Sequence, residues 1–121
     1  MTYDSNNIFA RILRGEIPCE TVYEDQYVLA FNDIAPQASI HILVIPKGAY
    51  SSLDDFSANA SSTEIAGFHR AVAKICEDFK LPQNGFRAIA NTGDYGGQEV
   101  PHFHLHLLGG EPLGAMLVKA A

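Results

Sequence analysis

Apolar positions follow two rhythms along the chain. From Ile65 onward they fall at Phe68, Val72, Ile75 and Phe79, the three-and-four spacing of one helix face. That pattern predicts a helix over residues 61–80, opened by Ser61 and Glu64 at capping-box spacing and stopped by Leu81-Pro82. A shorter helix is predicted over residues 5–15. Ser5 or Asn6 serves as its cap, Ile8, Phe9, Ile12 and Leu13 form its stripe, and Gly15 lies just past its end.

The second rhythm is that of strands. Short apolar runs occupy residues 21–23, 27–31, 40–45, 86–90 and 100–108, each bounded by turn residues. The run at 40–45 is broken only by His41, which predicts a strand buried on both faces. Residues 48–63 read as a connection. About five strands and two helices, with mostly tight turns, predict a single α+β domain over residues 1–121 with a largely antiparallel sheet.

The last run carries candidate chemistry. A strand repeats every two residues, so His102, His104 and His106 share one face while Phe103, Leu105 and Leu107 share the other. Neighbouring imidazoles would stand ~6.5–7 Å apart along such a strand. Three aligned imidazoles suit two chemistries. One is zinc binding, with His41 as a fourth ligand. The other is nucleophilic or acid–base catalysis by neutral rings. The loop over residues 91–98 favours the second. Gly96-Gly97 permits a nest of backbone amides around an anion, and Gln98 offers a neutral donor. A phosphate held there would lie beside the histidines.

Composition narrows the field. Fourteen Asp and Glu against eight Lys and Arg give a formal charge of −6, which argues against a nucleic-acid coat but not against a small nucleotide. No segment has the apolar length of a membrane span, and the polar start lacks the pattern of a signal peptide, so a cytoplasmic protein is expected. Cys19 and Cys76 have no Cys-x-x-Cys spacing and read as free thiols. His69 reads as a helix-surface histidine, and Asp54-Asp55 as a solvated face.

The run His102-Phe-His104-Leu-His106-Leu-Leu resembles the signature of the histidine triad (HIT) superfamily. Further stretches resemble its Hint branch: Ile8-Phe-Ala-Arg-Ile-Leu-Arg-Gly-Glu-Ile-Pro18, Ala30-Phe-Asn-Asp-Ile-Ala-Pro-Gln-Ala38, His41-Ile-Leu-Val-Ile-Pro-Lys47 and Gly96-Gly-Gln-Glu-Val100. The ending Leu107-Leu-Gly-Gly110 is similar to that of bacterial members.

The resemblance implies a homodimer whose sheets join across the interface, a purine nucleotide substrate, and no cofactor or metal. It implies hydrolysis of P–N bonds in purine nucleoside 5′-phosphoramidates or aminoacyl adenylates. By motif position, His104 would be the nucleophile that carries a transient nucleotidyl group, flanked by His102 and His106 and faced by His41. Asp33, with Ile34 beside it, would bind ribose. Ile8, Phe9, Ile12, Ile17 and Phe31 would form the purine slot, and Asn91, Gly97, Gln98 and Glu99 the phosphate loop. Pro101, Glu99 and the tail over residues 115–121 depart from the branch pattern and bear on substrate selectivity. The alternatives are a dinucleoside polyphosphate hydrolase of another HIT branch and a nucleotide-binding regulator with incidental catalysis.

Overall fold

Alternation along one central strand divides the core in two. The computed structural model describes residues 2–118. Its sheet comprises β1 (Thr21–Glu24), β2 (Val28–Asn32), β3 (Ile40–Pro46), β4 (Arg87–Ile89) and β5 (Leu105–Gly109), in the order β1-β2-β3-β5-β4. Every neighbouring pair is antiparallel. On one face Ile42 and Val44 of β3 join Val28, Ala30 and Leu107 in a buried cluster with Phe68, Ala71, Ile75 and Cys76. Those last four lie on a long helix, α3 (Ser62–Asp78), which covers that face. On the other face Leu43 and Ile45 join Leu29 and Phe31 against Phe9 of the N-terminal helix α1 (Ile8–Leu13).

Register then places the chemistry. His41 has the parity of Leu43, and His106 of β5 lies opposite Leu43. Both imidazoles therefore belong to the face that α1 covers, not the face that α3 covers.

The long helix forms for the reason its sequence suggests. Ser61 Oγ accepts from the Glu64 amide at 3.1 Å while Glu64 Oε1 accepts from the Ser61 amide at 3.1 Å. The expectation for the first helix needs correcting at its cap. Asn7 does the capping, its Oδ1 accepting from the Ala10 amide at 2.9 Å, in place of Ser5 or Asn6. Two short helices join the two expected ones: α2 (Leu53–Asn59), inside the segment read as a connection, and α4 (Leu81–Asn84).

The last strand is shorter than its sequence pattern suggests, beginning at Leu105 rather than Val100. The reason lies in the backbone just before it. The His102 amide turns back to the Val100 carbonyl at 2.9 Å, and the Phe103 amide donates to the Tyr50 carbonyl at 2.7 Å. These bonds replace the ladder bonds a continuous strand would make. Phe103 still enters the core, stacked on Phe56. No helix among the described residues is long and apolar enough to cross a membrane. Cys19 and Cys76 are free. The expectation that the tail over residues 115–121 influences selectivity falls partly on residues 119–121, outside the described residues.

Candidate active site

The site begins with a ring that solvent does not reach. His102 is 0% exposed. Its Nε2 lies 2.9 Å from the Pro46 carbonyl oxygen, which can only accept, so Nε2 carries a proton. Burial, opposed by that carbonyl and aided by His104, pushes the His102 pKa down to about 4, so the ring is neutral near pH 7. Nδ1 is therefore a lone pair, and Tyr3 Oη–H donates to it at 2.5 Å. The main-chain carbonyl of the same residue accepts from His104 Nδ1–H at 2.7 Å. That bond assigns the tautomer of His104 and leaves its Nε2 unprotonated. His104 is itself 6% exposed, and the Phe9 ring meets it edge-on at 4.9 Å. Burial lowers its pKa, while the His102 carbonyl, Asp33 and Glu99 pull the other way.

A second chain of bonds fixes the opposite proton. The Gln37 amide donates to His41 Nδ1 at 3.1 Å, so the neutral His41 ring holds its proton on Nε2. His41 Nε2–H donates to His106 Nδ1 at 2.9 Å, with Asp33 Oδ2 at 3.5 Å. His106 then keeps its proton on Nε2. Burial, followed by neighbouring His104 and His41, lowers its pKa to about 4 against the pull of Asp33. The His41 pKa is also lowered by burial, again opposed by Asp33. The rings of His104 and His106 lie 5.0 Å apart. The result is a free imidazole lone pair on one ring and an imidazole N–H on the next.

This differs from three rings displayed in a row. The structure gathers His41, His104, His106 and Asp33, whereas His102 is enclosed and reaches the others through its carbonyl. The zinc set of His41, His102, His104 and His106 is not assembled, because both His102 nitrogens are already engaged. Candidate ligand atoms of Asp33, His41 and His106 do lie within 4.8 Å of one another.

Asp33 divides its oxygens. Oδ1 caps its own turn by accepting from the Ala35 amide at 2.8 Å, and Oδ2 faces His41. Ile34 beside it is 98% exposed.

The glycine-rich loop is braced by the side chains expected to contact a ligand. Asn91 Nδ2 donates to the Gly96 carbonyl at 2.6 Å. Gln98 Nε2 donates to the carbonyls of Ser51 and Val100, and its Oε1 accepts from the Gly93 amide. The Gln98 side chain is therefore a strut and not a free donor. The amides of Gly97 and Gln98 are spent inside the turn, on Asp94 and Gly93. The amide of exposed Glu99 donates to no acceptor among the described residues. Gly97 has φ +73°, a backbone state open to glycine. Tyr95 stands fully exposed on the loop.

The apolar residues expected around a purine are split. Phe9 and Phe31 are buried edge-to-face, with ring centroids 5.6 Å apart. Ile12 and Ile17 line a cleft of about 500 Å³ that also includes Leu29, Cys19, Glu24 and Lys47. No histidine lines that cleft. Ile8 is half exposed on α1.

Three participants escaped sequence reasoning: Tyr3, Gln37 and the Pro46 carbonyl. Tyr3 offered only a lone aromatic in a polar N-terminal stretch, and main-chain groups offer no residue-type signal at all.

The HIT domain family model matches residues 14–113. The purine nucleoside phosphoramidase of Escherichia coli strain K12 is 47% identical over 110 residues, spanning 91% of this chain and 92% of that protein. A 13.2 kDa HIT-like protein of Azospirillum brasilense is 55% identical over 118 residues, 98% of this chain and 97% of its own. Among solved structures, a histidine triad protein from Clostridium difficile superposes with a TM-score of 0.82 at 43% identity, covering 96% of this chain and 100% of that one. Matching in both sequence and architecture, the chain belongs to the HIT domain family.

Proposed function

We propose that this HIT-family hydrolase cleaves the P–N bond of purine nucleoside 5′-phosphoramidates, with His104 as nucleophile. The observation that carries the reading is the His104 Nδ1–H bond to the His102 carbonyl, which presents the opposite nitrogen as a lone pair. The phosphoramidase named in Escherichia coli, at 47% identity, supports the substrate class.

In the first step His104 Nε2 attacks the α-phosphorus and the phosphorus–amine bond breaks. The positive charge that develops on the ring is shared with the His102 carbonyl through Nδ1–H. The amine departs with a proton drawn from solvent and relayed through His106: Nε2–H passes to the leaving nitrogen and Nε2 is reprotonated from water, so the ring ends neutral. The Glu99 amide suits a crowded equatorial oxygen of the transition state. In the second step water attacks the nucleotidyl-histidine, the N–P bond breaks, the nucleoside monophosphate leaves and the proton returns. Asp33 is assigned to ribose, and Phe9, Ile12, Ile17 and Phe31 to the base.

The test is turnover of adenosine 5′-phosphoramidate, with mass spectrometry of acid-quenched protein to detect an added nucleotidyl group. His104→Ala is expected to fold normally and lose about a thousandfold or more in kcat. A His104→Ala variant with near-normal turnover overturns the assignment. A parallel assay on diadenosine tetraphosphate separates this reading from a polyphosphate hydrolase.

A further inference from the structure

The enclosed histidine is held on two sides by segments far from it in sequence. Its Nε2–H bonds to the Pro46 carbonyl at the end of β3, and its Nδ1 receives the hydroxyl of Tyr3, which is 99 residues away. The Tyr3 ring also meets His102 edge-on, with centroids 5.7 Å apart. Tyr3 is not a loose end laid over the protein. The turn after it is tied by bonds from the Asn7 amide and side chain to the Asp4 carbonyl, and from the Asn6 amide to Asp4 Oδ1. Arg14 clamps the Ser5 carbonyl at 2.7 Å. Asn7 then caps α1, whose Phe9 touches both His102 and His104.

We infer that Tyr3 is a positioning residue for His104, acting through His102: its hydroxyl fixes the His102 ring, and so the carbonyl that orients the nucleophile. The inference rests on the reading of His104 as the attacking ring. The chemistry is geometric. The Pro46 carbonyl forces a proton onto Nε2, so only a donor can satisfy Nδ1. A phenol is such a donor and a phenylalanine is not. Without it, a fully buried nitrogen loses its partner, which penalises the present ring position and favours alternatives. With Nε2 still held by the Pro46 carbonyl in a closed pocket, the ring regains a partner for Nδ1 by shifting as a body, which carries its Cα and so the carbonyl that accepts His104 Nδ1–H. Tyr3 touches none of His41, His104 or His106 through a hydrogen bond among the described residues, so its effect falls on orientation and not on proton transfer.

The experiment compares the intact protein with Tyr3→Phe. Turnover of adenosine 5′-phosphoramidate is measured beside long-range proton–nitrogen correlation spectra of ¹⁵N-histidine-labelled protein. Tyr3→Phe is expected to lower kcat about tenfold and to change KM by less than about twofold. The His102 Nδ1 resonance is expected to move toward that of an unbonded ring nitrogen, and the His104 Nδ1–H signal to shift with it. Ala71→Gly, on the buried face of α3, controls for lost stability. It lowers the melting temperature and is expected to leave both the kcat and the two histidine signals unchanged. An unchanged kcat or unchanged histidine signals in Tyr3→Phe overturn the inference, as does an equal kcat loss in Ala71→Gly. Should the intact protein turn over no phosphoramidate, the functional reading falls, and the two nitrogen signals alone decide for or against Tyr3.

Discussion

His41 Nε2 stands 2.9 Å from His106 Nδ1, on neighbouring strands and 65 residues away in sequence. The contact makes the two rings a single proton-sharing unit beside the lone pair of His104. Burial keeps all three neutral in water near pH 7. An imidazole that must attack phosphorus works only when unprotonated, so its depressed pKa extends the active range downward. We expect kcat/KM to stay flat from pH 8 to about 6.5, the usual histidine value, and to fall only below it. A rate profile with an acid limb centred above pH 7 contradicts this.

The same rings make stability depend on pH. His102 and His106 titrate near 4 in the folded protein but near the ordinary 6.5 when unfolded. Below 6.5 the unfolded chain binds protons that the folded one refuses, so stability is full above about 6.5 and is lost progressively as pH falls toward 4. Urea midpoints measured from pH 8 to pH 4 should decline mainly in that window.

Asp33 opposes the effect of burial on both His41 and His106. Asp33→Asn removes that pull, so the acid limb should move to lower pH. With Asp33 also assigned to ribose, KM for a nucleoside phosphoramidate should rise about tenfold, the scale of one charge-assisted hydrogen bond. A deoxyribose analogue should lose less on the substitution than the ribose substrate, and equal losses argue against the ribose contact.

At Gly96 the glycine-rich loop has no room for a side chain. A Cβ there would sit 2.3 Å from the Thr92 carbonyl oxygen, a backbone atom that cannot swing away. Gly96→Ala should cost about 1–3 kcal/mol of stability and lower kcat, because the turn must open to accept the methyl. Thermal unfolding and turnover on the same preparation check both.

Ile75 tests whether the two halves of the core are separable. It is fully buried between α3 and the sheet, on the face away from the histidines. Ile75→Ala should cost about 2–5 kcal/mol. Turnover per folded molecule should remain within about twofold, since none of His41, His102, His104 and His106 lies on that face.

The homodimer is a further expectation with a physical basis. Strands β1 and β4 are sheet edges, and Phe86 and Leu53 are 39% and 44% exposed beside them or on α2. A twofold partner would cover an edge and such apolar groups together. Light scattering at micromolar concentration should report twice the 13.2 kDa chain mass. A monomer there removes this expectation.

Much of the architecture was legible because it depends on local periodicity. The stripe from Ile65 to Phe79 and the Ser61–Glu64 pair specify α3 through contacts three and four residues apart, and the apolar run at 40–45, interrupted only by His41, specifies the central strand. Helix α2 was not, although Ser52 caps it and Asp54 and Asp55 fill its first turn. Seven residues give too little periodicity to stand out.

For the site, the residues alone supplied the identities and the alternation that sends His106 one way and Leu107 the other. Tertiary structure decided what each imidazole can do. It enclosed His102, spent the Gln98 amide on the loop and brought Tyr3 to a ring 99 residues away. The reason is that a histidine becomes nucleophile or donor according to what meets its second nitrogen. Here those partners are main-chain groups and a distant hydroxyl, which only the folded chain brings into reach.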